Sequence, residues 1–280
     1  MAINLELVGQ ELKEIEHPYI WKDVVLYHLG IGAKATELKY VYENVQGGIQ
    51  VIPTFSVIPS LEAMANNVVA KLGANPMMLL HGEQGIFMKK PIPMKGTFKT
   101  TPKVSAIYDK GKGALVVIET TTTDGGGEEL FSNYISLFCR GEGNFGGERG
   151  PEAENLDPPE GASPDFEASY TTSEDLAALY RLSGDINPLH IDPNFAKLGG
   201  FDRPILHGLC SYGIVCKLLV QGLCGDDPTK VMEYKCRFSK PVMPGDTITA
   251  KAWKIDDNKY SVQAFANDNM VINNAYILIG

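Results

Sequence analysis

The chain has 280 residues, 44% of them hydrophobic, enough for one large domain or two of ordinary size around a sizeable core, which excludes a disordered or fibrous protein. A formal charge of −9 argues against a nucleic-acid partner. Five cysteines, an odd number without a C-x-x-C pair, suit buried thiols in a reducing compartment better than a disulfide framework or a structural zinc site.

The N-terminus, MAINLELVGQELKEIEHPYI, lacks a basic region followed by an apolar core, so no signal peptide is expected. The stretch 26-LYHLGIG-32 ends an amphipathic helix, and neither His17 nor His28 has an acidic or metal-ligating companion at useful spacing, so both are expected to be structural. Further on come 79-LLHGEQ-84, 90-KPIPMKGT-97 and 109-DKGKG-113. Alone, Lys110 in the last of these is a solvated turn lysine.

Residues 141–166 hold six glycines and four prolines, and seven acids against Arg149. That composition disfavours helix and strand and predicts a connection between two halves. It also leaves the rest of the chain close to neutral. The halves are related: 26-LYHLGIG-32 returns as 179-LYRLSGD-185, and 90-KPIPMKGT-97 as 240-KPVMPGDT-247, at nearly the same offset.

In the second half, Ser173 is the expected cap of a helix carrying Leu176, Leu179 and Tyr180. Asp192-Pro193 starts another, the aspartate as cap and the proline in the first turn. The run ILHGLCSYGIVCKLLVQGLC, 205–224, is interrupted by His207, Lys217 and Gln221 and reads as a long core helix from Ile205, not a membrane span. Four strand-like runs follow at 234–240, 247–255, 260–266 and 271–279. Helices followed by an antiparallel meander give an α+β layout, with a sheet wrapped around one long helix.

Between them, 180-YRLSGDINPLHIDP-193 places Asp185, Asn187, His190 and Asp192 within eight positions. As composition alone, Asp185 and Asn187 are turn formers. As chemistry, an acid, an amide and an imidazole bent together by Gly184 and Pro188 make a water-handling site. Asp185 and His190 supply acid and base, Asn187 orients the water, and Gly208, near the start of the long helix, offers a free backbone N–H to an oxyanion. Asp192 is explained by helix capping, and His207 by capping or packing before function. A metal held by Asp185, His190 and Asp192 is conceivable from the residue types, but acid–base groups and a backbone donor can act without one, and none is expected.

The run Y-R-L-S-G-D-I-N-P-L-H-I-D-P resembles the signature of the R-specific enoyl-CoA hydratases (hydratase 2, MaoC-like), and LLHGEQ and DKGKG resemble segments of the double hot-dog hydratase domain of peroxisomal multifunctional enzyme type 2. The resemblance spans nearly the whole chain. It implies a hot-dog repeat over 1–145 without the catalytic motif, an acidic segment 146–166, and a second hot-dog repeat over 167–280. It further implies R-specific hydration of trans-2-enoyl-CoA in fatty acid β-oxidation, with Asp185, His190, Asn187 and the Gly208 N–H catalytic, and coenzyme A contacts at His81, Gly82, Lys110 and Phe238. Coenzyme A enters as part of the substrate, and no separate cofactor is implied.

Gly32 stands where Asp185 does, and 33-AKATEL-38 offers no N-P-L-H, so the first half is expected to have lost its site and to make room for a long acyl chain. A peroxisomal location and fusion to dehydrogenase domains follow from the resemblance; a homodimer is left open, since two hot-dog copies in one chain could satisfy within it the pairing that single copies find by dimerising. The end at Ile279-Gly280 carries no S-K-L-like tripeptide, which suggests a domain of a larger enzyme. Rival classes are an acyl thioesterase or acyl-carrier-protein dehydratase on the same scaffold, and a non-catalytic acyl-CoA-binding module. The intact D-x-N-P-L-H weakens both.

Overall fold

In each half, short helical segments precede four long strands. The structure, a computed structural model, describes residues 3–280. The first half contains β1 (Ile15–Tyr19), α1 (Trp21–Gly30), α2 (Leu38–Val41) and α3 (Val57–Ala63). A π-helical stretch, Met64–Val69, carries α3 on into α4 (Ala70–Leu72). Then come β2 (Leu79–Met88), β3 (Gly96–Asp109), β4 (Gly113–Thr123) and β5 (Glu129–Arg140). The second half contains β6 (Phe166–Thr171), α5 (Leu176–Tyr180), α6 (Pro193–Leu198), α7 (Gly208–Leu223), β7 (Val231–Phe238), β8 (Thr247–Lys254), β9 (Lys259–Ala266) and β10 (Asn269–Ile279).

The ten strands form one antiparallel sheet in the order β1-β3-β4-β5-β2-β7-β10-β9-β8-β6. Read from either edge inward, the order within each half is the same, so the internal repeat of the sequence reappears as topology. The halves meet where β2 pairs with β7, in a register that sets Glu83 opposite Arg237 and Phe87 opposite Glu233. Pairing the two innermost strands buries two sheet edges that would otherwise be open to other chains.

α7 is buried on every side from Leu209 to Val220, Ser211 and Lys217 included, as its largely apolar sequence requires. It lies against β6, β7 and β8, while α3 lies against β3 and β4. The halves are further joined through their helical segments. Tyr27 of α1 packs on Tyr180 of α5 with ring centroids 6.0 Å apart. The buried Lys217 Nζ of α7 contacts Glu37 at 2.9 Å and the Gly32 carbonyl at 3.2 Å. No described helix is long and apolar enough to cross a membrane. All five cysteines are buried and free.

Two expected helix starts are corrected. α5 begins at Leu176, and Ser173 contributes its carbonyl to the Leu176 N–H at 3.1 Å, so that donor needs no side-chain cap. α7 begins at Gly208 and not Ile205. The Leu206 N–H is drawn off to the Val242 carbonyl at 2.8 Å, and His207 is extended with ψ 134°. The glycine- and proline-rich connection between β5 and β6 is held against the fold. The Leu156 N–H donates to Asn274 Oδ1 at 3.1 Å, and Trp253 Nε1 donates to the Ala162 carbonyl at 2.9 Å.

Candidate active site

The D-x-N-P-L-H segment folds as a sequence of turns. Gly184, with φ +134°, ends the short helix before it, a conformation that favours glycine. The Asn187 N–H donates to Asp185 Oδ1 at 3.3 Å, and Asn187 Oδ1 accepts from the Leu189 N–H at 3.0 Å. Pro188 then opens a single 3-10 turn that ends at His190. These turn bonds engage one side-chain oxygen each of Asp185 and Asn187. Asn187 spends its oxygen on the backbone, and its NH2 takes no part in the turn.

His190 is buried, and its Nδ1–H donates to the Ile205 carbonyl at 2.9 Å. That bond fixes the tautomer and leaves the Nε2 lone pair for chemistry. A carboxylate oxygen of Asp185 and one ring nitrogen each of His190 and His207 lie within 4.8 Å of one another. Burial raises the Asp185 carboxyl above its ordinary range against the pull of His190. Burial lowers the His190 imidazole, opposed by Asp185. A carboxyl pushed up and an imidazole pushed down share protons readily at intermediate pH.

Gly208 is the first residue of α7 and is exposed, so its N–H has no intrahelical acceptor and the helix dipole favours negative charge there. A Cβ at this position would stand 3.4 Å from the Phe238 ring. His81 meets the same ring edge-on, with centroids 5.3 Å apart. Gly82 sits where the β2–β5 register slips, and a Cβ there would stand 3.0 Å from Ser136 Oγ. His81 and Gly208 thus adjoin the same Phe238 ring, while Gly82, next to His81 on β2, faces Ser136.

Lys110 is set apart from them on the β3–β4 turn. Its Nζ donates to the Arg149 carbonyl and stands 5.6 Å from the Tyr108 ring centroid. The pairing of Gly113 with Arg140 and of Leu79 with Cys139 puts this turn at the same end of the sheet as His81. β5 lies between β4 and β2, so at about 4.8 Å per strand the lysine is a few strands away, a reach suited to an extended ligand.

Asp192 does not join the cluster. It accepts the Asn194 N–H at 2.8 Å and caps α6, as its sequence context implies. The residue that does join is His207, whose Nε2–H donates to the Asp185 backbone carbonyl at 3.1 Å. Asp185, His190 and His207 offer donors of the types a divalent ion takes. The only sequence signal for His207 was its place before Gly208. His17 pairs with Glu62 at 2.6 Å, and His28 is buried with both ring nitrogens bonded to backbone, which gives each a structural role.

Two family descriptions match the chain: the MFE-2 hydratase 2 N-terminal domain over residues 17–141 and the MaoC-like domain over residues 155–275. The chain is 40% identical over 273 residues to a probable enoyl-CoA hydratase 2 of Dictyostelium discoideum, covering 95% of this chain and 92% of that protein. It is 38% identical over 281 residues to peroxisomal multifunctional enzyme type 2 of Mus musculus, covering 96% of this chain but 38% of that longer protein. Among solved structures, a MaoC-like dehydratase from Phytophthora capsici superposes with a TM-score of 0.88 at 31% identity, covering 99% of this chain and 98% of that one. A double hot-dog protein from Mycobacterium tuberculosis, at 13% identity and a TM-score of 0.61, shares the fold.

Proposed function

Because the chain belongs to the family of MFE-2 hydratase 2 and MaoC-like domains, we propose that it hydrates trans-2-enoyl-CoA to (3R)-hydroxyacyl-CoA in fatty acid β-oxidation. The class is that of a hydro-lyase. The observation that carries the reading is the meeting of Asp185 and His190, with shifted protonation, beside the free N–H of Gly208.

Water adds across C2=C3. Its oxygen bonds to C3, one of its protons passes to the Asp185–His190 pair, and the π electrons move onto the thioester oxygen. The Gly208 N–H stabilises that enolate oxygen, and the pair returns a proton to C2. Acid–base help of this kind contributes roughly 10² to 10⁴ in rate, and the oxyanion donor about 3 kcal/mol. The Asn187 amide orients the water. Each step is complete without a metal or separate cofactor, since the charge that develops falls on groups already present.

Coenzyme A lies along His81, Gly82 and Phe238, with Lys110 meeting a phosphate as a flexible point charge. The division at 1–145, 146–166 and 167–280 gives the first repeat the acyl tail and the second the chemistry. Relatives named peroxisomal, and relatives several times longer than their matching portion, support a peroxisomal enzyme fused to dehydrogenase domains. Nucleic acid and membrane are not partners in this reading, and the chain is a possible homodimer.

The test is product stereochemistry. Incubation with a trans-2-enoyl-CoA should give a hydroxyacyl-CoA oxidised by an R-specific dehydrogenase. An S product, or free coenzyme A, would sink the assignment.

A further inference from the structure

His207 stands outside the four catalytic groups assigned above, yet several of the site's constraints pass through it. It is fully buried, and its Nε2–H donates to the Asp185 carbonyl at 3.1 Å. One face of its ring lies on His190, centroids 3.8 Å apart and planes 30° apart. Tyr180 packs against it with centroids 5.0 Å apart. Its remaining nitrogen, Nδ1, is buried without a partner. The four-residue segment Ile205–Gly208 therefore carries the carbonyl that fixes His190, the imidazole that fixes Asp185, and the N–H offered to the oxyanion.

We propose that His207 is a positioning residue: a neutral imidazole that ties the Asp185 backbone and the His190 ring to the Gly208 N–H as one rigid frame. This rests on the hydratase reading of the site. The ring stays uncharged at working pH, because burial, His190 and Arg181 lower it to about 3. Its tautomer follows, with Nε2 carrying the proton for Asp185 and Nδ1 keeping a lone pair. Without the Nε2–H, the Asp185 carbonyl loses its tie across the sequence, and the turn is anchored to the Ile205–Gly208 segment only at its far end, through His190 and the Ile205 carbonyl.

Three substitutions separate the contributions of the ring. His207→Gln places an amide N–H near Nε2 and keeps the tie, His207→Asn reaches only the Nδ1 position, and His207→Phe keeps the flat face alone. Small misplacements of catalytic groups cost about 10²-fold. Phe and Asn should therefore lower kcat by about that factor with KM within about threefold, and Gln should recover at least about tenfold of the loss.

Thermal unfolding is measured beside each variant, and if Phe does not fold, the comparison of Gln with Asn decides. Losses of kcat that track losses of stability, or a Gln variant no better than Asn, would overturn the positioning role. A wild-type chain without hydratase activity would instead overturn the functional reading, and this role with it.

Discussion

Arg237 donates from Nε and Nη2 to a single oxygen of Glu83, at 2.9 and 2.7 Å, across the pair of strands where the two halves join. The carboxylate is mostly buried, its side chain 14% exposed, and its other oxygen accepts from Tyr134 at 3.2 Å. Charge-assisted and forked, the contact fixes the β2–β7 register, on which the placing of His81 against Phe238 depends.

Removing the acid strands Arg237 and the Tyr134 hydroxyl together. Glu83→Ala should cost about 1 to 3 kcal/mol in urea unfolding. The arginine is 41% exposed, so the lower part of that range is expected. A double-mutant cycle with Arg237→Ala should return a coupling of at least about 0.5 kcal/mol. Zero coupling would mean that the strand pairing alone sets the register.

Asp185→Asn and His190→Gln are near-isosteric, and each should lower kcat by at least roughly 10²-fold with little change in melting temperature. The stability half of this expectation follows from the contacts. Asp185 Oδ1 holds one weak turn bond, and His190→Gln, whose amide stands at the Nε2 position, gives up the single Nδ1–H bond to the Ile205 carbonyl, a cost of about 1 kcal/mol. Substantial activity in either variant would reduce the motif to a turn.

Much of this site was legible because its residues are close in sequence: Asp185, Asn187 and His190 lie on one set of turns, and Gly208 marks a helix start. The fold class and the repeat were legible for a similar reason, since alternation and recurring segments are local signals. His207 was not. Its role depends on the Ile205–Gly208 segment crossing over the D-x-N-P-L-H turns, a tertiary relation without periodicity. The late start of α7 was hidden likewise, because Ile205 and Leu206 continue the apolar character of the helix and only the Leu206 bond to Val242 shows where the helix cannot yet form. The packing of the acidic connection escaped too, as it rests on single anchors such as Leu156 and Asn274.

Acid should weaken the fold through His28. Its Nδ1–H donates to the Tyr40 carbonyl at 2.7 Å, and its Nε2 accepts from the Ile52 N–H at 3.0 Å, so a second proton would face a donor. Burial lowers its pKa from 6.5 to about 4. Between those values the unfolded chain binds the proton and the folded chain does not. Stability therefore rises with pH through that window and is lost on acidification, by on the order of 3 kcal/mol. His207, lowered to about 3, acts in the same direction. His28→Leu should be less stable at neutral pH yet show a shallower slope of unfolding free energy between about pH 5 and 6.5. An unchanged slope would assign the acid sensitivity to other groups.

Gly208→Val should abolish activity. A Cβ already meets Phe238 at 3.4 Å, and the two further methyl groups would fill the space beside the N–H where a thioester must lie. Gly208→Ala separates the causes, since its one methyl is near ordinary contact with the ring. Activity lost in the alanine variant without loss of stability would mark the donor surface, whereas parallel losses would mark a packing glycine.

Chain-length preference follows from the asymmetry of the halves. Gly184, which turns the chain into the D-x-N-P-L-H segment, faces Ile58 of α3, whose Cγ2 would stand 3.7 Å from a Cβ built on it. α3 of the first half is thus one wall beside the motif, α1 packs against the residues just before it, and Gly32, not an aspartate, follows α1 in that half. An acyl tail passing along that wall would gain at most about 0.8 kcal/mol per buried methylene. A ten-carbon enoyl-CoA should then bind more tightly than a four-carbon one, mainly through KM, because tail contacts are equal in ground and transition states. Ile58→Phe narrows the passage and Ile58→Ala widens it. The first should depress kcat/KM for ten- and sixteen-carbon substrates more than for the four-carbon one, and the second should spare or favour the longest. Equal efficiency at all three lengths, or equal change in both variants, would leave the first half as a structural partner that completes the sheet and covers α7 without touching the substrate's tail.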